Sequence, residues 1–515
     1  MTDLSHPVVS LSTGSVRGIA EDGIAVWKGI RYAQAPTGEL RWRSPVASSA
    51  HDGVLDAFEF GAAAPQSPNP AVPLGADTVT DEDCLFLNVW APWAADAATG
   101  APRPVMMWVH GGAYTFGSAS QPLFDGRALV QSGDLVLVSI NYRLGGLGFL
   151  DLTGFADGTE VDSNLAVRDV LLALKWVQEN AAAFGGDPER VTVFGESAGA
   201  GIVTTLLTVP SAEGLFSRAI AESSPVSSVY NSERAKSSAA VFLEALGVET
   251  VADARAKSID DIVAASSEVY AKIPALAPGT LPFAPVVDGE LIPEHPLTRL
   301  REGRALPVPL LIGTNRDEAT LFKYMKSPLM PITEPTINAM FSAMSAENPD
   351  VTLPPREQVL EAYEGVRHRA IGLGIARDIG FRMPTLWAVE GHSTVAPVWL
   401  YRFDFATPML RVLGIGATHA TELPYVWGNL DSTAKDPIFL LGGRRKGRAL
   451  SERMRARWTA FANGEAPGAP APAPAWPKFD LSSRQSLHID VTDQVQSDLD
   501  DELRKGWGDT ALSFR

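Results

Sequence analysis

The chain has 515 residues, 45% of them hydrophobic and 20% charged, which is a globular mixture with enough apolar material for a large core. Its formal net charge of −17 repels phosphate backbones and anionic headgroups, so neither nucleic acid nor a membrane surface is an expected partner. The single cysteine, Cys84, excludes a fold held by an internal disulfide and reads as a buried small hydrophobe in a reducing compartment.

The first residues lack the basic-then-apolar pattern of a signal peptide. No apolar run reaches the ~18 residues of a spanning helix, and the C-terminus carries no lipid-anchor motif. A cytoplasmic location is the expectation.

The first third predicts strands and turns. Residues 8–19 read as a hairpin punctuated by Gly14 and Gly18, and residues 24–30 as a short strand. Residues 85–90, 104–109 and 135–140 are apolar on both sides of the pleat, as in a buried, mostly parallel sheet. Residues 162–184 change period: Leu165, Val167, Val170, Leu171, Leu174 and Val177 recur at helical spacing. Gly185-Gly186-Asp187-Pro188 ends that helix. A β-rich strand at 191–194 follows, then the glycine-rich segment 195–201 and an apolar helix at 202–207. Strand alternating with helix argues for an α/β sheet.

Residues 230–275 and 330–395 read as helical insertions, the second a cap beside the sheet. Residues 307–312 and 398–405 return to strand pattern, with Thr314-Asn315 beginning an exit loop after the first. Leu450, Met454, Trp458 and Phe461 share one face of a late helix and read as core. Residues 465–477 form a Pro/Ala-rich loop before a short strand at 487–489. No repeat or long linker breaks the chain, so residues 1–515 are expected to form one domain.

Gly195-Glu196-Ser197-Ala198-Gly199 is the only G-x-S-x-G in the chain. Between a strand and a helix it can hold a serine hydroxyl on a tight turn above the sheet. A serine needs a base to become nucleophilic, and histidine has the suitable pKa. Of eight histidines, His419 lies in a small-residue loop after the 398–405 strand. His6, His51, His295, His368, His392 and His488 have no supporting neighbours. The order serine, acid, histidine places the acid just after the 307–312 strand, where Asp317 and Glu318 are adjacent and the residues alone do not choose between them. His110-Gly111-Gly112-Ala113 follows the 104–109 strand as an oxyanion loop. Its expected donors are the amides of Gly112, Ala113 and Ala198.

These segments resemble the type-B carboxylesterase family, which is cholinesterase-like and para-nitrobenzyl-esterase-like. The resemblance spans nearly the whole chain, through Trp27-Lys28-Gly29-Ile30-Arg31-Tyr32-Ala33, Glu82-Asp83-Cys84-Leu85, Asn141-Tyr142-Arg143, Phe184-Gly185-Gly186-Asp187-Pro188 and the loops above. It implies an α/β-hydrolase fold with a large, mostly parallel sheet flanked by helices, and cofactor-free, metal-free hydrolysis of small-molecule carboxylic esters. It also selects Glu318 over Asp317 and supports His419. It implies an electrostatic role for Glu196, an orienting role for Ser223 and a structural Arg41–Glu82 ion pair. Exported relatives pair the equivalent of Cys84 in a disulfide, so the unpaired residue points to the bacterial intracellular branch. Two further departures, Ala200-Gly201 after the elbow and Ala113 in the oxyanion loop, keep small residues at those positions.

The expected mechanism passes through an acyl-Ser197 intermediate, with His419 as base and Glu318 orienting it. A carbamate or amide hydrolase or an acyltransferase could use the same three residues. A non-catalytic interaction protein on this fold would not need all three. Tyr114, Phe116, Phe283, Phe322, Met325 and Phe381 are candidate pocket walls.

Overall fold

The computed structural model describes residues 5–93, 101–156, 158, 160–347, 353–364, 368–430 and 437–512. Parts of the N-terminal segment (1–4) and of the 330–395 region (348–352 and 365–367) named above lie outside the described residues.

Strands in chain order are β1 (Val8–Leu11), β2 (Gly14–Arg17), β3 (Ile19–Glu21), β4 (Ile24–Arg31), β5 (Val54–Asp56), β6 (Phe86–Pro92), β7 (Arg103–Val109), β8 (Val136–Ile140), β9 (Gly186–Glu196), β10 (Arg218–Glu222), β11 (Leu310–Asn315), β12 (Val398–Phe403), β13 (Gln485–Ile489) and β14 (Gln494–Ser497). Eleven of them form one sheet in the order β14-β13-β12-β11-β10-β9-β7-β8-β6-β4-β3, while β1, β2 and β5 make a small separate sheet. The stretch from β13 to β8 is parallel throughout. The edge pairs β13–β14, β8–β6, β6–β4 and β4–β3 are antiparallel. This is the α/β-hydrolase fold, a large mixed sheet with helices on both faces.

The two-sided apolar strands explain the layers. Along β7, Val105, Met107 and Val109 enter one core, and Met106 and Trp108 enter the other. Successive side chains point to opposite faces of a strand, so both faces must be covered. The helices Leu165–Asn180 and Ala198–Leu206 cover the first. The helix Arg444–Ala462 covers the second with buried Leu450, Met454, Trp458 and Phe461.

Several boundaries differ from the sequence reading. The helix after the glycine-rich segment starts at Ala198, not at 202, because Ser197 itself forms its N-cap. Thr314 and Asn315 belong to β11, where they pair with Arg402 and Phe403 of β12. Strand β9 begins at Gly186, running through the Asp187-Pro188 helix stop. Strand β10, placed between β9 and β11, has no counterpart in the reading; it ends on Glu222 and leads directly into Ser223. Among the described residues no helix is long and apolar enough to cross a membrane.

Candidate active site

Three parallel strands, β9, β10 and β11, end side by side, and ligand sites of open α/β sheets form beyond such carboxyl ends. Glu196 pairs with Glu222 across β9 and β10, and Glu222 with Gly313 across β10 and β11. Just past these positions come Ser197, Ser223 and the Asn315–Glu318 turn.

Ser197 sits at φ 54°, ψ −123°, a backbone that a side-chain-bearing residue adopts only under constraint. Two contacts hold it. Its amide donates to the Glu222 carbonyl at 2.9 Å, and the helix packs so closely that a Cβ at Gly199 would lie 2.0 Å from the Val109 carbonyl oxygen. Glycine there lets the strand-to-helix turn close.

His419 Nε2 lies 2.8 Å from Ser197 Oγ, and Nδ1 lies 2.7 Å from Glu318 Oε2. Glu318 is fully buried. Its other oxygen accepts from Ser223 Oγ at 2.6 Å and from the Asn315 amide at 2.7 Å. Asp317 turns away. It accepts from the Ala417 amide at 3.0 Å and pairs with Arg316 at 2.9 Å. With Nδ1–H donating to Glu318, the lone pair of Nε2 is left to accept the serine proton.

Glu196 Oε1 approaches His419 Nε2 to 3.2 Å. Burial pushes the Glu196 carboxyl up to about 7, with the His419 charge opposing and Glu318 adding to the rise. Burial also disfavours the His419 imidazolium, but the charges of Glu196 and Glu318 outweigh it, so its pKa lies above the ordinary 6.5. The rings of Phe381 and Phe322 pack on His419 at 4.8 and 5.3 Å. Phe381 lies in a π-helical turn, Asp378–Arg382, between the helices His368–Arg377 and Met383–His392. Such a widened turn re-aims side chains within a helix.

The 110–113 loop comes next to the serine. Gly112 has φ 116°, and a Cβ there would lie 2.1 Å from the Phe116 carbonyl oxygen. Among the described residues, the amides of Gly112, Ala113 and Ala198 carry no hydrogen bond to the protein. Tyr142 Oη donates to the His110 carbonyl at 2.6 Å, and its ring stacks on the His110 imidazole at 4.5 Å. Burial holds that imidazole down at about 4, against the pull of the Gly111 carbonyl, so it is neutral and anchors the loop.

Ser197, His419 and the 111–113 loop line a cavity of about 550 Å³, within the usual range for small-molecule sites. Phe116, Phe322, Met325 and Phe381 also line it. Tyr114 and Phe283 do not, contrary to expectation. Tyr114, at φ 59°, is buried against Phe149 at 4.6 Å with its hydroxyl under Gly201. Phe283 is buried in the main core beside Gly145. Arg41 and Glu82 pair at 2.5 Å away from this cavity. The Arg41 guanidinium also donates to the Arg255 and Lys257 carbonyls at 2.7 and 2.8 Å. Cys84 is buried, and burial pushes its thiol far up. Among the described residues no group of three or more His, Cys, Asp or Glu side chains is disposed to hold a metal ion.

Sequence reasoning missed the layer behind these residues. Asn315 Nδ2 donates to the Thr418 carbonyl at 2.8 Å and to Glu422 Oε2. Asn315 therefore ties the Glu318 turn to the His419 loop. Glu222 is fully buried and accepts from Trp458 Nε1 at 2.9 Å. Burial raises the Glu222 carboxyl to about 8, opposed by the Trp458 hydrogen bond and reinforced by Glu196. Burial, together with Glu196, Glu222 and Glu318, raises Glu422 well above the carboxylate range. Nothing in their sequence neighbours marks Glu222 or Glu422 as buried acids.

Residues 5–507 match the family described as "Carboxylesterase family". The chain is 35% identical over 516 residues to a para-nitrobenzyl esterase of Bacillus subtilis (strain 168), covering 98% of each. It is 31% identical over 440 residues to a phenmedipham hydrolase of Pseudarthrobacter oxydans, covering 84% of this chain and 85% of that one. A solved structure titled as a PNB esterase superposes with a TM-score of 0.84 at 33% identity, covering 98% of this chain and 99% of that one.

Proposed function

This chain belongs to the carboxylesterase family, and from that premise we propose that its serine esterase chemistry is carried by Ser197, His419 and Glu318. The observation that carries the assignment is the continuous hydrogen-bond chain, 2.8 Å from Ser197 Oγ to His419 Nε2 and 2.7 Å from Nδ1 to Glu318.

His419 takes the serine proton as Oγ attacks the ester carbonyl. Glu318 holds the imidazole in the Nδ1–H tautomer and stabilises the imidazolium. The amides of Gly112, Ala113 and Ala198 are free to receive the oxyanion, and one such donor is worth roughly 10²–10³ in rate. The imidazolium protonates the leaving alcohol, and water then repeats the sequence on the acyl-serine. Glu196 favours the imidazolium through its charge, and Ser223 and Asn315 orient Glu318.

The cavity is walled largely by apolar side chains, which suits uncharged esters with alkyl or aryl arms. A bacterial, cytoplasmic enzyme of one domain, with helical insertions around 230–275 and 330–395 and working without cofactor, nucleic acid or membrane, fits the same reading. A cysteine that is both the only one in the chain and buried supports the location.

Ser197→Ala tests the assignment. Hydrolysis of a short p-nitrophenyl ester is expected to fall by about 10⁴ or more with the circular dichroism spectrum unchanged. Activity retained near the wild-type level would overturn it.

A further inference from the structure

A second, smaller cavity of about 170 Å³ lies beside the first. Its floor is apolar, built from Leu144, Leu147, Ile262 and Val263. Its buried serine, Ser266, is already satisfied: Oγ donates to the Ile262 carbonyl at 2.8 Å and accepts from the Gly146 amide at 3.2 Å. The other polar side chains of its wall are satisfied too, Gln66 by the Gly117 backbone, Ser67 and Ser267 by each other at 2.8 Å and Thr115 by the Ala113 carbonyl, so the chamber demands no polar group from a guest. It is below the size of ordinary small-molecule sites, which run to several hundred Å³, so it suits one arm of a molecule better than a whole one.

Among the described residues, only two line both cavities, Phe116 and Tyr270. Their rings meet edge to face, with centroids 5.2 Å apart and planes at 71°. They come from different elements. Phe116 closes the turn of the oxyanion loop, its amide donating to the Gly112 carbonyl at 2.9 Å. Tyr270 stands on the helix Ile259–Leu276.

We infer that the Phe116–Tyr270 pair is a specificity-determining partition. It ends the substrate cavity on this side and withholds the apolar chamber from esters whose alkyl or aryl arm outgrows the main cavity. The inference rests on the active-site reading above. Opening the pair joins the two spaces and moves the size limit upward, because each added methylene then finds an apolar surface instead of a ring.

The test uses the full-length enzyme and two substrate series: p-nitrophenyl esters lengthening from acetate to dodecanoate, and acetate esters of alcohols of increasing bulk. For each variant, the quantity read is the ratio of kcat/KM for the longest member to that for the shortest, so a general loss from a disturbed loop cancels. Phe116→Ala and, on the other element, Tyr270→Ala are each expected to raise this ratio by about tenfold or more in one series, within the range that hydrophobic pockets discriminate by size. Adding Val263→Phe, which fills the second chamber alone, to Phe116→Ala is expected to return the ratio to the wild-type value. Ratios unchanged in both series for both single variants, in enzyme that still hydrolyses the short esters, overturn the partition and leave the active-site reading standing. A raised ratio that Val263→Phe does not reverse also overturns it, since the gain then does not come from the chamber. A wild-type enzyme inert toward every ester overturns both.

Discussion

Glu196 Oε1 lies 3.2 Å from His419 Nε2, the nitrogen that also faces the Ser197 hydroxyl at 2.8 Å. One carboxylate therefore faces the imidazole from the side of Ser197 while Glu318 faces it from the other. In the proposed mechanism, the charge that each contributes sets when the base becomes available.

Glu196→Gln is expected to shift the acidic limb of the kcat/KM profile to lower pH. The proposed base, His419, works only when neutral, so activity is expected to be lost as pH falls through its pKa. Burial lowers that pKa, and the charges of Glu196 and Glu318 raise it above 6.5. Removing one of those charges lowers it, and the neutral base persists further into acid. A kcat/KM profile on a neutral ester checks this; a limb that stays put or moves to higher pH contradicts it.

Ser223→Ala and Glu318→Gln separate orientation from charge. Ser223→Ala removes the 2.6 Å hydrogen bond to Glu318 Oε1 but leaves that of the Asn315 amide. It is expected to cost about 1–3 kcal/mol of stability and a modest part of kcat. Glu318→Gln keeps the shape but removes the negative charge and offers Nδ1 a donor. It is expected to lower kcat by up to about 10⁴. Steady-state kinetics beside thermal melting of both variants measures the contrast, and equal losses in kcat would argue against it.

Glu222→Gln is expected to gain stability relative to wild type as pH rises from 5 to 8. Burial, partly offset by Trp458, lifts the Glu222 carboxyl from 4.5 to about 8. Between these values the folded state holds a proton that the unfolded state has released, so wild-type stability falls with rising pH across that window. Glutamine titrates nowhere and lacks this slope. Thermal inactivation of both proteins at several pH values tests the sign.

Gly199→Ala is expected to block folding or to lower the inactivation temperature sharply. Its Cβ would meet the Val109 carbonyl oxygen at 2.0 Å, and neither strand nor helix can yield without moving Ser197. Soluble yield and thermal inactivation report the effect. An alanine variant as stable as wild type would mean that the turn is looser than the geometry requires.

The G-x-S-x-G turn, the glycine loop and the strand-and-helix alternation were legible in the sequence because each depends on local chemistry. Small residues permit close backbone approach, and a period of two or 3.6 reports which side of an element is covered. The late helix was read as core for the same reason, and Leu450, Met454, Trp458 and Phe461 are all buried. Contacts across the fold were not legible. Residues alone left Asp317 and Glu318 equivalent, and the family resemblance chose Glu318. In the fold one is buried 2.7 Å from His419, and the other is half-exposed beside Arg316. Glu222 and Glu422 look like surface carboxylates in the chain. Tyr114 and Phe283 look as suited to a pocket wall as Phe116, yet only Phe116 lines the cavity. Such assignments depend on which strands lie side by side, and β10, absent from the sequence reading, is the strand that sets Ser223 and Glu222 between Ser197 and Glu318. Local sequence determined the parts that need particular residues at particular spacings. Parallel strand order, fixed by long-range packing, decided which of those parts meet.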